Sequence, residues 1–204
     1  MTVGRPRTMS DEQILAGAAR VIARVGPARL TLAEVGREVG LAAATLTQRF
    51  KTKRGLLLAL ARHGADALPG RLAAARSADA PAGALIDSFV ALAGGVRTSA
   101  EFANHLAFLL LDLTDPQFQQ ISRDYADAVE QAIAEVLAAA HTAGELAHDD
   151  LTDLPRAIHA AYNGAMVTWG MHGRGSPADQ VRTQLTILLE PYLGSEDSPR
   201  NSTR

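Results

Sequence analysis

The chain has 204 residues, enough for one or two domains with a sizeable core, and 47% hydrophobic with 21% charged residues is ordinary for a globular protein. It contains no cysteine, which removes disulfides, thiol catalysis and thiolate metal sites together. No apolar run approaches the roughly 18 residues of a membrane span, and no secretory apolar segment follows the first arginines, so a cytoplasmic protein without a membrane partner is expected.

The net charge of −2 hides an asymmetry. Residues 1–54 carry ten Lys or Arg against four acids, whereas residues 55–204 carry ten arginines against eighteen acids. Both lysines of the chain fall with two arginines between Arg49 and Arg54. A basic block on a mildly acidic body suggests one end made for a polyanion; the plainer alternative is a solvated surface.

Almost every segment has helical periodicity, and the predicted class is all-α. Ser10 and Gln13 form a capping box ahead of the apolar stripe Ile14, Ala18, Val21, Ile22 and Val25, which Gly26-Pro27 ends. Thr31 and Glu34 repeat the device before Leu32, Val35 and Val39, and Gly40 stands where a tight turn needs positive φ. A short helix spans about 42–50, and a fourth starts near Thr52 and is broken at Pro69-Gly70. Longer helices are predicted at about 82–97, 100–113, 116–142, 154–172 and 177–193. Asp115, Asp153 and Ser176 each place a capping oxygen ahead of a proline of the first turn. Gly144 suits a helix C-cap, and the polar end 194–204 is expected to be disordered. The pattern shift divides the chain into a basic arm (1–9), a small helical domain (10–54) and a larger helical body (55–193).

Three short helices with a glycine turn between the second and third form a helix-turn-helix, whose last helix enters the DNA major groove. The stretch "ILAGAARVIARVG…LTLAEVGREVGLAAATLTQRFKTKRGLLLAL" resembles the N-terminal domain of the TetR/AcrR family of transcriptional regulators over about residues 10–60. Thr31, Val35, Val39, Gly40 and Leu41 occupy the family's second-helix and turn positions, and Leu46, Phe50, Thr52, Lys53 and Leu56 those that follow. Beyond this, only the helix pattern and "AGEL" at 143–146 agree. The resemblance implies a DNA-binding repressor with an inducer-binding, dimerising helical body. Two places depart from the pattern: Ala42 replaces the usual serine after the turn, and Thr47 replaces a tyrosine that usually contacts phosphate. Arg49 stands where the family often has His or Tyr.

The residues support DNA contact on their own chemistry. A helix N-terminus capped by Thr31, with Thr47, Arg49, Lys51 and Lys53 nearby, provides the parts that hold a phosphate backbone. Base reading falls to Ala43, Ala44, Thr45 and Gln48, where Gln48 can pair with adenine and the small residues can meet a thymine methyl. Arg5 and Arg7 form an extended basic arm suited to a minor groove, or a basic tail without a fixed role.

For the body, candidate inducer-lining residues are Phe89, Phe102, His105, Phe108, Asp112, Tyr125, Tyr162, Asn163 and Met166, large or polar residues on apolar helices. His105 and Asp112, seven apart on one helix face, are the favoured polar pair; core packing is the alternative for each. Ile158, Ala161, Ala165 and Trp169, with Val181, Leu185, Leu188 and Tyr192, make two stripes expected to meet their copies in a two-fold four-helix bundle. The alternative is that both stripes pack inward on their own chain. No catalytic residue, cofactor or metal is predicted: there is no glycine phosphate loop or nucleophile elbow, and His148-Asp149-Asp150 lacks a second ligand cluster. An architectural DNA binder blind to ligand is the remaining alternative, which a large apolar cavity would disfavour.

Overall fold

The computed structural model describes residues 9–65 and 67–194, apart from the side chains of Asp112 and Leu113. These residues form ten α-helices: α1 (Asp11–Arg29), α2 (Leu32–Val39), α3 (Ala43–Phe50), α4 (Lys53–Ala65), α5 (Ala67–Ala75), α6 (Pro81–Ala93), α7 (Ser99–Thr114), α8 (Pro116–Thr142), α9 (Leu154–His172) and α10 (Pro177–Leu189). A 3-10 turn, Glu190–Tyr192, follows α10, and one antiparallel bridge joins Leu146 to Leu193. The fold is all-α, and no described helix is long and apolar enough to cross a membrane.

The helix starts follow their capping chemistry. Ser10 Oγ accepts from the Gln13 N–H at 3.2 Å while Gln13 Oε1 accepts from the Ser10 N–H at 3.0 Å. Thr31 and Glu34 make the same reciprocal pair at 3.1 Å each way. Such a cap is worth about 0.5–2 kcal/mol, because it satisfies donors that the helix itself leaves unpaired. Gly26 leaves helical geometry at φ 76°, which kinks α1 where the pattern ended it. At the far end of α8, the Gly144 N–H reaches His141 O and the Glu145 N–H reaches Ala140 O, both at 3.0 Å, the double closure that a left-handed glycine permits.

Several expected boundaries move. Pro69-Gly70 does not break a helix: α4 ends at Ala65, and Pro69 is the third residue of α5, where an N–H has no intrahelical acceptor to lose. Asp153 makes no side-chain cap to α9; the neighbouring Asp150 accepts from the Thr152 N–H at 3.1 Å instead. The last long helix stops at Leu189, and Pro191 falls in the 3-10 turn.

The compact units group the helices differently from a sequential division at residue 54. The first comprises α1–α4, α7 and the start of α8. Its core joins Ile14, Ala18, Val21 and Ile22 of α1 to Leu30, Val35, Leu46, Leu56, Leu57 and Phe118. Each such aliphatic side chain taken out of water contributes about 1.5–3 kcal/mol. Leu46 and Phe50 turn α3 toward this core, and α4 enters it with Leu56, Leu57 and Leu58. The turn between α2 and α3 depends on two glycines. Gly40 adopts φ 71°, and a Cβ on Gly36 would stand 2.5 Å from the Leu41 carbonyl oxygen.

The second unit comprises α5, α6, the rest of α8, α9, α10 and the 3-10 turn. Within it α10 packs against both α6 and α9. Its buried residues include Leu68, Leu72, Leu85, Phe89, Ile133, Val136 and Leu137. Ile158, Ala165, Trp169, Val181 and Leu185 are buried here as well. These five were expected at a dimer contact, and burial within a single chain makes them core instead. Ala161, Leu188 and Tyr192 are half-buried. The surface that remains open on the last helices lies elsewhere, at Gly164, Val167 and Met171 of α9 and at Ile187 of α10.

Candidate functional site

The short α3 presents two contrasting faces. Leu46 is fully buried and Phe50 half-buried, whereas Ala43, Ala44, Thr47 and Gln48 are exposed and Thr45 is half-exposed. Positions i, i+1, i+4 and i+5 lie on one side of a helix, so these four make a continuous outer face of small side chains with a single long polar one. The four predicted base readers thus share one side of α3, with Thr45 at its margin. The Thr47 hydroxyl donates to Ala43 O at 3.1 Å, which leaves its oxygen only as an acceptor.

The basic cluster behind this face is bound largely to its own unit. Arg49 Nη1 donates to Met9 O at 2.6 Å and to Asp11 Oδ1 at 3.0 Å. Lys53 Nζ donates to Ala28 O at 2.7 Å. Arg54 forms a two-pronged pair with Asp115. Lys51 alone stays within its own turn, with Nζ 2.9 Å from Gln48 O, and its side chain is exposed. Its backbone, at φ 66° and ψ −55°, makes a γ-turn closed by the Thr52 N–H to Phe50 O at 2.8 Å, a conformation that a non-glycine residue holds only at some cost.

Thr31 is also committed. Its oxygen accepts from the Glu34 N–H, and its hydroxyl donates to Glu34 Oε2 at 3.1 Å. A phosphate arriving at the start of α2 would have to compete with that carboxylate. Two cations that the sequence pattern did not single out are uncommitted. Arg29, in the last turn of α1, and Arg37, in the last turn of α2, are exposed, and their side chains carry no hydrogen bond or ion pair among the described residues. Their only signal in the sequence was proximity to Thr31. By contrast, Arg20 and Arg24 both bind Glu38, whose carboxyl the Arg20 guanidinium holds below its ordinary range despite some desolvation. Arg5 and Arg7 lie outside the described residues.

The predicted inducer-lining residues divide between the units. Phe102, His105 and Phe108 belong to the first, where Phe108 meets Phe118 edge-on at 6.1 Å. Burial holds His105 below the usual histidine range, while Glu101 pulls the other way. The Asp112 side chain lies outside the described residues, so its pairing with His105 stays a sequence expectation.

Phe89, Tyr125, Tyr162 and Met166 belong to the second unit, where the three rings take part in two aromatic contacts. Phe89 packs on Tyr162 with ring centroids 5.1 Å apart, and Tyr125 meets His159 edge-on at 6.1 Å. His159 Nδ1 lies 3.7 Å from Glu130 Oε1; burial lowers the imidazole's proton affinity and Glu130 partly restores it. Burial, and then the nearby Tyr125, push the Tyr162 phenol far above its ordinary value. His159 and Glu130 were missed in the sequence because each is one polar residue among many on a helix. Asn163 is exposed, whereas Phe89 is buried and Tyr125, His159 and Tyr162 are half-buried. A separate surface cleft of about 620 Å³ is lined by His148, Gln184, Ile187, Leu188 and Tyr192 among others.

The chain matches two family models. Residues 14–60 match the bacterial regulatory proteins of the tetR family, and residues 86–194 match the C-terminal domain of BetI-type transcriptional repressors. No curated protein matches the sequence. Among solved structures, a transcriptional regulator from Saccharomonospora viridis in complex with choline is 22% identical, with 91% of this chain and 98% of that one covered and a TM-score of 0.74. A TetR regulator from Haloarcula marismortui is 17% identical over 90% and 98% of the two chains, with a TM-score of 0.77. SmeT, the repressor of the Stenotrophomonas maltophilia multidrug efflux pump SmeDEF, is 18% identical over 96% of each, with a TM-score of 0.67. At these identities the structures speak for the fold alone, but the two family models cover both parts of the sequence, and the chain belongs to the TetR family of transcriptional regulators.

Proposed function

We propose that this TetR-family chain is a ligand-responsive repressor that binds a palindromic duplex as a dimer and is released by a small molecule. The observation that carries the DNA part is the outer face of α3: Ala43, Ala44, Thr47 and Gln48 exposed together, with Leu46 and Phe50 anchoring the opposite side. Small side chains let the helix approach the groove floor closely, and Gln48 supplies a bidentate amide for adenine. Arg29, Arg37 and Lys51 are the exposed cations available to phosphate around it. One such helix reads few base pairs, so specificity calls for a second copy on a symmetric site.

For the inducer, the second unit offers the Tyr125, Tyr162, Phe89 and His159 rings with the Glu130 carboxylate beside them. Aromatic faces next to a carboxylate suit a small organic cation. Choline in the 22%-identical relative is a ligand of that kind. A ligand of this sort acts only through different affinity for the DNA-binding and released states.

The test is a pull-down of genomic fragments with purified protein, followed by sequencing of what is bound. The expected result is a set of fragments sharing a palindrome whose half-sites are about one helical turn apart. Recovery without any shared sequence would reject a sequence-specific repressor. Adding choline to the complex formed on the recovered site then tests the cation class directly, with release as the expected outcome.

A further inference from the structure

We infer that His159 is an internal rival of the inducer: its imidazolium and an organic cation compete for Glu130, the carboxylate beside the aromatic cluster. The inference rests on the proposed cation site and adds a regulation to it, namely that acid withdraws the site from its ligand.

The groups come from three helices of the second unit. α8 supplies Tyr125 and Glu130, α9 supplies His159 and Tyr162 one turn apart, and α6 supplies Phe89. Their contacts run in a chain. Phe89 packs on Tyr162, and the Tyr162 phenol lies close enough to Tyr125 for the latter's charge to oppose its ionisation. Tyr125 meets His159 edge-on at 6.1 Å, and His159 Nδ1 stands 3.7 Å from Glu130 Oε1. Among the described residues Glu130 has no other ion-pair partner, so its charge is met by His159 or by what enters. The imidazole is 12% exposed and the carboxylate 35%, which screens the pair less than a surface pair and still leaves Glu130 open to solvent.

A proton on His159 and a cationic ligand draw on the same charge. An imidazolium within 4 Å of Glu130 neutralises the attraction a ligand would feel, and it repels a second cation placed over Tyr125. A bound cation disfavours the imidazolium in turn, so each lowers the affinity for the other by one common factor. Burial holds His159 below the usual histidine value of about 6.5, while Glu130 pulls it back up. The imidazole is therefore neutral at pH 8 and gains its proton in mild acid. Burial raises the Tyr125 and Tyr162 phenols, which stay neutral throughout. Glu130 also lines a surface cleft of about 330 Å³ with Asp127, Asp153 and Arg156, which are exposed and screened by water.

The direction of the effect follows. In the free site the proton enters beside an unneutralised carboxylate; in the liganded site it meets a positive charge. Ligand binding thus expels the proton. Affinity is level above about pH 6.5 and falls below the histidine's own value, by up to about tenfold for each further pH unit.

The experiment titrates the full chain with choline by calorimetry from pH 8 to pH 5, with circular dichroism checking the fold at each pH. Choline is a quaternary cation with no titrating group, so any pH dependence belongs to the protein. Its neutral isostere 3,3-dimethylbutan-1-ol serves as the control. Choline affinity is expected to fall on the order of tenfold over this range, and that of the isostere to stay level. His159→Gln, whatever its affinity at pH 8, should bind choline equally at both ends of the range. Where that variant does not fold, the wild type decides: heats in two buffers of different ionisation enthalpy at pH 5.5 should report a proton released with choline and none with the isostere. The inference is overturned if wild-type affinity for choline is level with no proton released, or if His159→Gln keeps the wild-type dependence. Absence of choline binding at every pH would instead reject the cation site underneath, and the inference with it.

Discussion

Arg54 and Asp115 are joined across sixty-one residues of chain by two hydrogen bonds, Nε to Oδ2 and Nη2 to Oδ1, each 2.9 Å. The fork ties the first turn of α4 to the junction of α7 and α8. Asp115 does a second job there, since Oδ1 also accepts the Gln117 N–H at 2.9 Å and caps α8. Asp115→Ala should therefore lower Tm more than Arg54→Ala, because it removes the cap along with the pair. Asp115→Asn keeps a capping acceptor and should fall between them. The Arg54 guanidinium, followed by the Gln117 and Phe118 amides, holds the Asp115 carboxyl below its ordinary range against some desolvation. A depressed carboxyl stabilises the fold at pH above the unfolded value, about 3.9, and that contribution is lost as pH falls through the lower folded value. Acid melts of the Arg54→Ala protein should accordingly lose stability at a higher pH than wild type; coincident acid profiles would leave the fork without energetic weight.

Glu145 caps a helix sixty-three residues earlier in the chain. Its Oε2 accepts the Ala82 N–H at 2.9 Å, at the start of α6, where Ala80 gives no side-chain cap. Glu145→Ala should cost about 0.5–2 kcal/mol in urea unfolding, the usual worth of a lost cap. Ala80→Ser supplies a local oxygen in its place. It should recover much of that loss in the Glu145→Ala background and add little to wild type. An equal gain in both backgrounds would mean that the Glu145 bond does not cap α6.

Local chemistry was legible in the sequence, and long-range partnership was not. The Ser10–Gln13 and Thr31–Glu34 boxes, the Gly40 turn and the Gly144 closure all involve residues within five positions of one another, so spacing alone revealed them. The outward face of α3 followed from the same periodicity that put Leu46 and Phe50 inside. The cluster at Arg49–Arg54 was equally visible, but its partners Met9, Ala28 and Asp115 lie far from it in the chain, and nothing local distinguishes a cation facing phosphate from one facing a carbonyl. "AGEL" at 143–146 shows the same limit. Its glycine was legible as a C-cap, while the capping of α6 by Glu145 and the burial of Leu146 depend on the tertiary fold. The stripes on α9 and α10 meet a related limit: an apolar stripe says that a face is buried, not by which chain, and five of the eight residues are buried within their own.

His105 gives the first unit a second pH dependence, of opposite chemical origin. Burial keeps its imidazole below the usual histidine value of about 6.5, with Glu101 opposing. The unfolded chain therefore binds a proton more readily than the folded one as pH falls through that value, and stability falls with it. Melting curves at pH 7.5 and 5.5 should show a loss of Tm in wild type that is smaller in His105→Gln. If the variant loses as much, another group carries the transition.

The last prediction concerns where two copies meet. Ile158, Ala165, Trp169, Val181 and Leu185 are spent on the core of their own chain, so a two-fold contact must use what α9 and α10 leave open. Gly164, Val167 and Met171 recur at spacings of three and four on α9, and Met171 is 78% exposed. On α10, Ile187 is 57% exposed and borders the cleft that Leu188 and Tyr192 line. Apolar side chains left this open on adjacent helices are what an isologous interface covers, with Gly164 allowing close backbone approach. Ile187→Arg places a charge at such a contact in both copies at once, where burial leaves it unpaired. Sedimentation should then show folded monomers with wild-type helicity, and binding to the palindromic site should fall sharply. Leu185→Ala behaves differently on this account: it opens a cavity in the chain's own core and should cost about 2–5 kcal/mol of stability, with dimers persisting while the protein stays folded. A tight dimer of Ile187→Arg at micromolar concentration, or clean dissociation of Leu185→Ala without loss of stability, would move the interface away from this surface.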